Sequence, residues 1–155
     1  MNPPINSKIA VVDANVLIAI AAKESGTHKD AEVRFKKYSQ DGWIFFAPNV
    51  VVAEVLFALC QKLSGGLLTQ AEYDSAIQTF KEYLTIVSLP ADDGILATRA
   101  VEIRKTYGCS RSSDSLYIAL AERLAGNNSV EIFTLDAGMT NQAAKNAPSV
   151  VVRSI

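Results

Sequence analysis

Short β-branched runs alternate with helix-patterned stretches along the whole of this chain, and that alternation leaves few architectures open. KIAVV at 8–12, WIFFA at 43–47, TIVSL at 85–89, VEIFTL at 130–135 and SVVVR at 149–153 read as strands. Between them lie helical patterns: NVLIAIAAK, HKDAEVRFKKYSQD, a run from Pro48 to about Leu63 closed by Gly65-Gly66, and TQAEYDSAIQTFKEYL. The last of these opens with Thr69 and has Glu72 three residues on, a capping-box pattern. ADDGILATRAVEIRKTYG follows, with Ile95, Ala100 and Ile103 expected to face inward and Gly108 to stop the helix. SSDSLYIALAERLAG and GMTNQAAKNA complete the series. Strand followed by helix in this order predicts an α/β fold: a central, mostly parallel sheet of about five strands with helices on both faces. The 155 residues, 49% hydrophobic and 20% charged, suit one globular domain over 1–155.

Four carboxylates interrupt or end stretches that otherwise read as core. Asp13 closes IAVVD, Glu54 lies inside NVVVAEVLFAL, Asp114 opens SSDSLYIALAE, and Asp136 closes EIFTLD. Removing an ionised carboxylate from water is costly unless it is paired or bound to metal. No matching buried Lys or Arg is apparent beside these acids, so a cation is expected, and hard oxygen donors point to Mg2+ or Mn2+. Asp13 and Asp136 end strands, and in open α/β sheets the functional crevice lies beyond the carboxyl ends of the strands. A helix N-cap is the bland alternative for Asp13, Asp114 and Asp136. Glu54 falls mid-helix beside Val50, Val51, Val55 and Ala58, where capping offers no explanation.

Charge and composition narrow the chemistry further. The chain carries 15 Lys and Arg against 16 Asp and Glu; once four acids are assigned to a cation, 12 remain and the balance turns basic, which permits a polyanionic partner. The single histidine, His28, reads as a solvated residue near a helix start, so no Ser-His-Asp or Cys-His arrangement can be assembled. A hydrolase built this way needs metal-activated water. Cys60 and Cys109 lack metal or redox spacing and are expected to be reduced core thiols. MNPPINSK has no basic segment leading into an apolar one, and no apolar run reaches the roughly 20 residues that span a bilayer. A cytoplasmic protein is expected.

Taken together, VVDANVLIA, the helical Glu of VVVAEVLFAL, SSDSLYIALAE and FTLD resemble the four acidic motifs of the PIN domain family, in order and spacing, over roughly residues 9 to 152. The resemblance implies a three-layer α/β/α fold and a Mg2+- or Mn2+-dependent endoribonuclease. Most PIN proteins of this size are toxins of VapBC-type toxin–antitoxin modules, so it also implies an RNA substrate, a cognate antitoxin and a homodimer. Carried over by position, Asp13, Glu54, Asp114 and Asp136 would be the catalytic and metal-binding acids, with Asn15 and Thr134 as polar groups orienting them. Arg111, beside Asp114, is a candidate contact to RNA phosphate. The alternatives are a PIN-fold nuclease that is not a toxin and a nucleic-acid-binding scaffold without catalysis. A phosphatase with an aspartate nucleophile would need a second acid two residues on, where Asn15 stands. The apolar surfaces of VLFALCQKL and TFKEYLTIV exceed what a small monomer needs, which also favours pairing.

Overall fold

The computed structural model describes residues 3–90, 92–105, 109 and 112–154. Five strands, β1 (Lys8–Val12), β2 (Ile44–Phe46), β3 (Val87–Ser88), β4 (Ser129–Thr134) and β5 (Val151–Ser154), form one sheet in the order β3-β2-β1-β4-β5. Every strand pairing is parallel. Seven α-helices are described: α1 (Ala14–Ala21), α2 (His28–Gln40), α3 (Val50–Ser64), α4 (Gln70–Leu84), α5 (Ala97–Arg104), α6 (Ser112–Ala125) and α7 (Ala137–Asn146). The expected α/β/α architecture is therefore present.

The chain builds outward from β1 to β2 and β3, then returns to lay β4 on the other side of β1. Right-handed crossovers place the helices before that reversal on one face and those after it on the other. Accordingly α1 to α4 pack among themselves, and α5 packs with α6 and α7. Covered on both faces, residues 9 to 12 of β1 are all fully buried, which explains a strand with no polar alternation. Phe35 of α2 stacks on Phe45 of β2 at 4.1 Å and meets Tyr83 of α4 edge-on at 4.9 Å, fixing that helical layer to the sheet. The reversal between β1 and β4 opens a crevice at the carboxyl ends of those two strands, and Asp13 stands there.

Local signals hold at several helix ends. The Thr69 hydroxyl accepts the Glu72 N–H at 3.2 Å while the Glu72 carboxylate accepts the Thr69 N–H at 2.7 Å, completing the capping box of α4. Beyond α3, Gly66 adopts φ +73, a conformation that glycine takes without strain.

Two expectations about the core need correction. Ile95 is 54% exposed, and its neighbour Leu96 is the buried residue. Residues Asp93–Leu96 form a 3-10 turn ahead of α5, and its tighter winding shifts the inward face by one position. Cys60 and Cys109 are exposed, not core thiols. The core stripe of α3 is Val51, Val55 and Leu59, and Cys60 stands one residue outside it, on the same side as exposed Leu56 and Phe57. Gly108 lies outside the described residues.

Candidate active site

Asp13 follows β1 and is locked to β4 through its backbone, whose N–H donates to the Phe133 carbonyl at 3.0 Å. It occupies the N-cap position of α1, yet its side chain makes no capping hydrogen bond. The carboxylate turns instead to Thr134 at the end of β4, whose hydroxyl donates to Asp13 Oδ2 at 2.7 Å. Thr134 Oγ1 also accepts from the Asp136 N–H at 2.9 Å and from Asn15 Nδ2 at 3.2 Å, so its donor and both lone pairs are used. Asn15 Oδ1 in turn accepts the Leu135 N–H at 3.1 Å. Asn15 and Thr134 thus clamp the ends of β1 and β4 around the Asp13 carboxylate.

Asp13 is only 6% exposed. Burial pushes its carboxyl up from 3.8 to about 7; the Thr134 hydroxyl opposes that shift, and the charges of Asp114 and Glu54 reinforce it. Structure thus brings three of the four acids into one electrostatic neighbourhood.

Glu54, Asp114 and Asp136 are half-buried, so the expectation of four buried acids holds only for Asp13. The stripe of α3 that reaches the core lies to one side of Glu54, which leaves its carboxylate at the core margin where a crevice can reach it. Glu54 Oε2 accepts the Tyr117 hydroxyl at 2.5 Å. Asp114 sits in the first turn of α6, inside the helix and not before it. Tyr117, three residues later, leaves α6 on the same face. Burial holds its phenol well above the usual range, and the Asp13 and Glu54 charges add to that shift.

Asp136 differs from the others. It is the N-cap of α7, and its Oδ1 accepts the Gly138 N–H at 2.7 Å. It reaches the site through its backbone bond to Thr134. Arg111 lies outside the described residues.

The helix that presents Glu54 is fixed at its start from a distance. Asp93 Oδ1 accepts the Asn49 N–H at 2.7 Å, and Oδ2 accepts the Val50 N–H at 2.9 Å. Asn49, the N-cap residue of α3, makes no capping bond of its own and donates through Nδ2 to the Pro90 carbonyl at 2.6 Å. Sequence reasoning missed both Asp93 and Tyr117. The spacing of Tyr117 from Asp114 was a usable signal, whereas Asp93, 43 residues from Val50, offered none.

Carboxylate oxygens around a buried, charge-crowded Asp13 are a donor set that fits Mg2+ or Mn2+. Among the described residues, no three acidic, histidine or cysteine side chains are closed up at metal-ligand spacing around one point. An open groove of about 600 Å3 is lined by Asn15, Leu135, Ile18, Ala58 and Lys62; Asn15 and Leu135 are the lining residues joined to the Asp13–Thr134 clamp. Lys62 is held there by Glu24 at 2.7 Å.

Comparison with known proteins decides the family. The PIN domain family pattern matches residues 10–145. The chain belongs to the PIN domain family. PIN domains are generally nucleases, so membership supports a hydrolase. No curated protein matches this PIN chain. Its fold is similar to VapBC2 from Rickettsia felis, solved bound to a DNA fragment from their promoter, with TM-score 0.58 and 10% identity over 95% of this chain and 98% of that one. It is also similar to PAE2754 from Pyrobaculum aerophilum, with TM-score 0.57 and 16% identity over 87% of this chain and 84% of that one. At these identities the likeness speaks for the fold. Among the described residues, no helix of this PIN protein is long and apolar enough to cross a membrane.

Proposed function

We propose that this PIN protein is a divalent-metal-dependent endoribonuclease and the toxin of a toxin–antitoxin pair. The observation that carries the reading is Asp13: a buried carboxyl pushed up to about 7 and crowded by the charges of Asp114 and Glu54. A cation relieves that crowding, and the acid recovers its charge in the act of binding.

Asp13, Glu54 and Asp114 would hold Mg2+ or Mn2+, with Asp136 as the fourth acid at the margin. Bound there, such a cation supplies an activated water and stabilises charge on the scissile phosphate. The protein's own part is positional. Thr134 and Asn15 hold the Asp13 carboxylate at the strand ends. Asp93 fixes the start of the helix that presents Glu54. The groove lined by Asn15 and Lys62 meets the site through Asn15 and would give an extended chain such as single-stranded RNA room to lie. Arg111 is proposed as a further contact to RNA phosphate.

The toxin assignment is supported by the shared fold with VapBC2. An antitoxin occluding the crevice would be the partner, and the cytoplasm the place of action. Leu56, Phe57 and Cys60 form an exposed stripe on α3, with Ile86 exposed after α4, which supports a homodimer. The capping bond of Asp136 is the one observation that favours a non-catalytic scaffold.

The test is incubation of the purified protein with end-labelled single-stranded RNA, with Mg2+ and with EDTA. Internal cleavage with Mg2+ and none in EDTA is expected. Equal cleavage in EDTA would overturn the metal mechanism, and no cleavage with any divalent ion would favour the scaffold.

A further inference from the structure

We infer that Tyr117 is a positioning residue for Glu54: it selects which Glu54 oxygen is offered to the cation proposed above, and it does so without competing for that cation's place. The inference rests on the metal reading and deepens it. Tyr117 is fully buried, and its hydroxyl donates to Glu54 Oε2 at 2.5 Å. The Ala14 N–H, at the start of α1, acts on the phenol oxygen and also on the Asp13 carboxylate. A single buried side chain therefore links α6, the first turn of α1 and the acid on α3, joining the two helical layers at the carboxyl ends of the strands.

Chemistry accounts for a phenol at this position. A lysine or arginine on Glu54 would bring its own positive charge and cancel the charge that attracts the metal. A phenol is a neutral donor, so it occupies one lone-pair direction of the carboxylate and leaves the negative charge in place. With one lone pair of Oε2 taken by the phenol, Oε1 would be the freer oxygen to hold the cation. Glutamate has several rotatable bonds, and fixing them before the metal arrives removes an entropic cost from binding. Hydrogen-bonded partners of metal-ligating carboxylates commonly set affinity in this way.

The experiment is Mn2+ titration of the full-length protein by calorimetry for wild type, Tyr117→Phe, Glu54→Gln and the double variant, with folding of each confirmed by its melting transition in EDTA. Tyr117→Phe is expected to weaken Mn2+ binding by about 10- to 100-fold. In the Glu54→Gln background the same change is expected to weaken it no more than about 2-fold, because the partner through which Tyr117 acts is already altered. A purely structural tyrosine would not show that dependence. Wild-type affinity in Tyr117→Phe, or an equal loss in both backgrounds, overturns the inference while leaving the metal reading intact. Should Tyr117→Phe fail to fold, Glu54→Asp draws the carboxylate away from the phenol with its charge kept, and wild-type affinity there overturns the inference. A wild type that binds no Mn2+ overturns the metal reading itself.

Discussion

The Thr134 hydroxyl donates to Asp13 Oδ2 at 2.7 Å, so the last residue of β4 holds the acid that follows β1. Valine at 134 keeps the shape but removes the donor, and it takes away the acceptor used by the Asp136 N–H and Asn15 Nδ2. Leaving buried polar groups unsatisfied costs about 1–3 kcal/mol. Thr134→Val is expected to lose that much stability in urea unfolding and about 10- to 100-fold in Mg2+-supported cleavage. Unchanged cleavage would show that the clamp does not set the position of Asp13.

Asp13 makes the stability of the metal-free protein depend on pH. Its carboxyl titrates at about 7 in the fold against an ordinary 3.8, so the folded state holds the proton more tightly. That contribution to stability is fully present below about pH 4 and is lost as pH rises through about 7. Between pH 5 and pH 8 in EDTA, wild type should lose roughly 2–3 kcal/mol more than Asp13→Asn, which has no such proton to release. Urea unfolding of both proteins at the two pH values measures the difference, and parallel profiles would contradict the assignment.

Asp114 and Asp136 should separate under the same substitution. Asparagine caps a helix about as well as aspartate, so Asp136→Asn keeps the bond to Gly138 and should cost about 10-fold or less in cleavage. Asp114→Asn removes a charge that acts on Asp13 and should cost about 100-fold or more. Parallel rate measurements at saturating Mg2+ decide this, and a reversed order would exchange the two roles.

Asp93 caps α3 from outside that helix. Asp93→Ala leaves the N–H groups of Asn49 and Val50 without their carboxylate and should cost about 1–2 kcal/mol, read as a lowered melting temperature. Asp93→Asn should recover part of the loss. If Asp93→Ala melts with wild type, the cap does not hold α3 in solution.

The sheet was legible because its strands lie in short runs rich in β-branched and aromatic residues, and Asp13 because a charge ends the most deeply buried of them. Tyr117 was hidden for the opposite reason. A tyrosine within the apolar stripe of a helix reads as packing, and its hydroxyl finds its partner 63 residues away. Asp93 likewise acts across 44 residues, a distance that local capping patterns do not cover. Ile95 and Cys60 were misplaced by small phase errors: a 3-10 turn shifted the first, and the second lies one position off the core stripe of α3. Glu54 was legible as an anomaly but not in its depth, because which face of α3 is buried, the Val51, Val55 and Leu59 stripe, is set by packing against other elements.

If Asp13 anchors a metal-dependent nuclease site, the cleavage rate of Asp13→Asn on single-stranded RNA at saturating Mg2+ is the quantity that responds most directly. The variant should fold, with metal-free stability at neutral pH equal to or above wild type, because a buried charge has been removed. Its cleavage should fall by about 1000-fold or more. A well-folded Asp13→Asn that cleaves RNA at near wild-type rate would contradict the account.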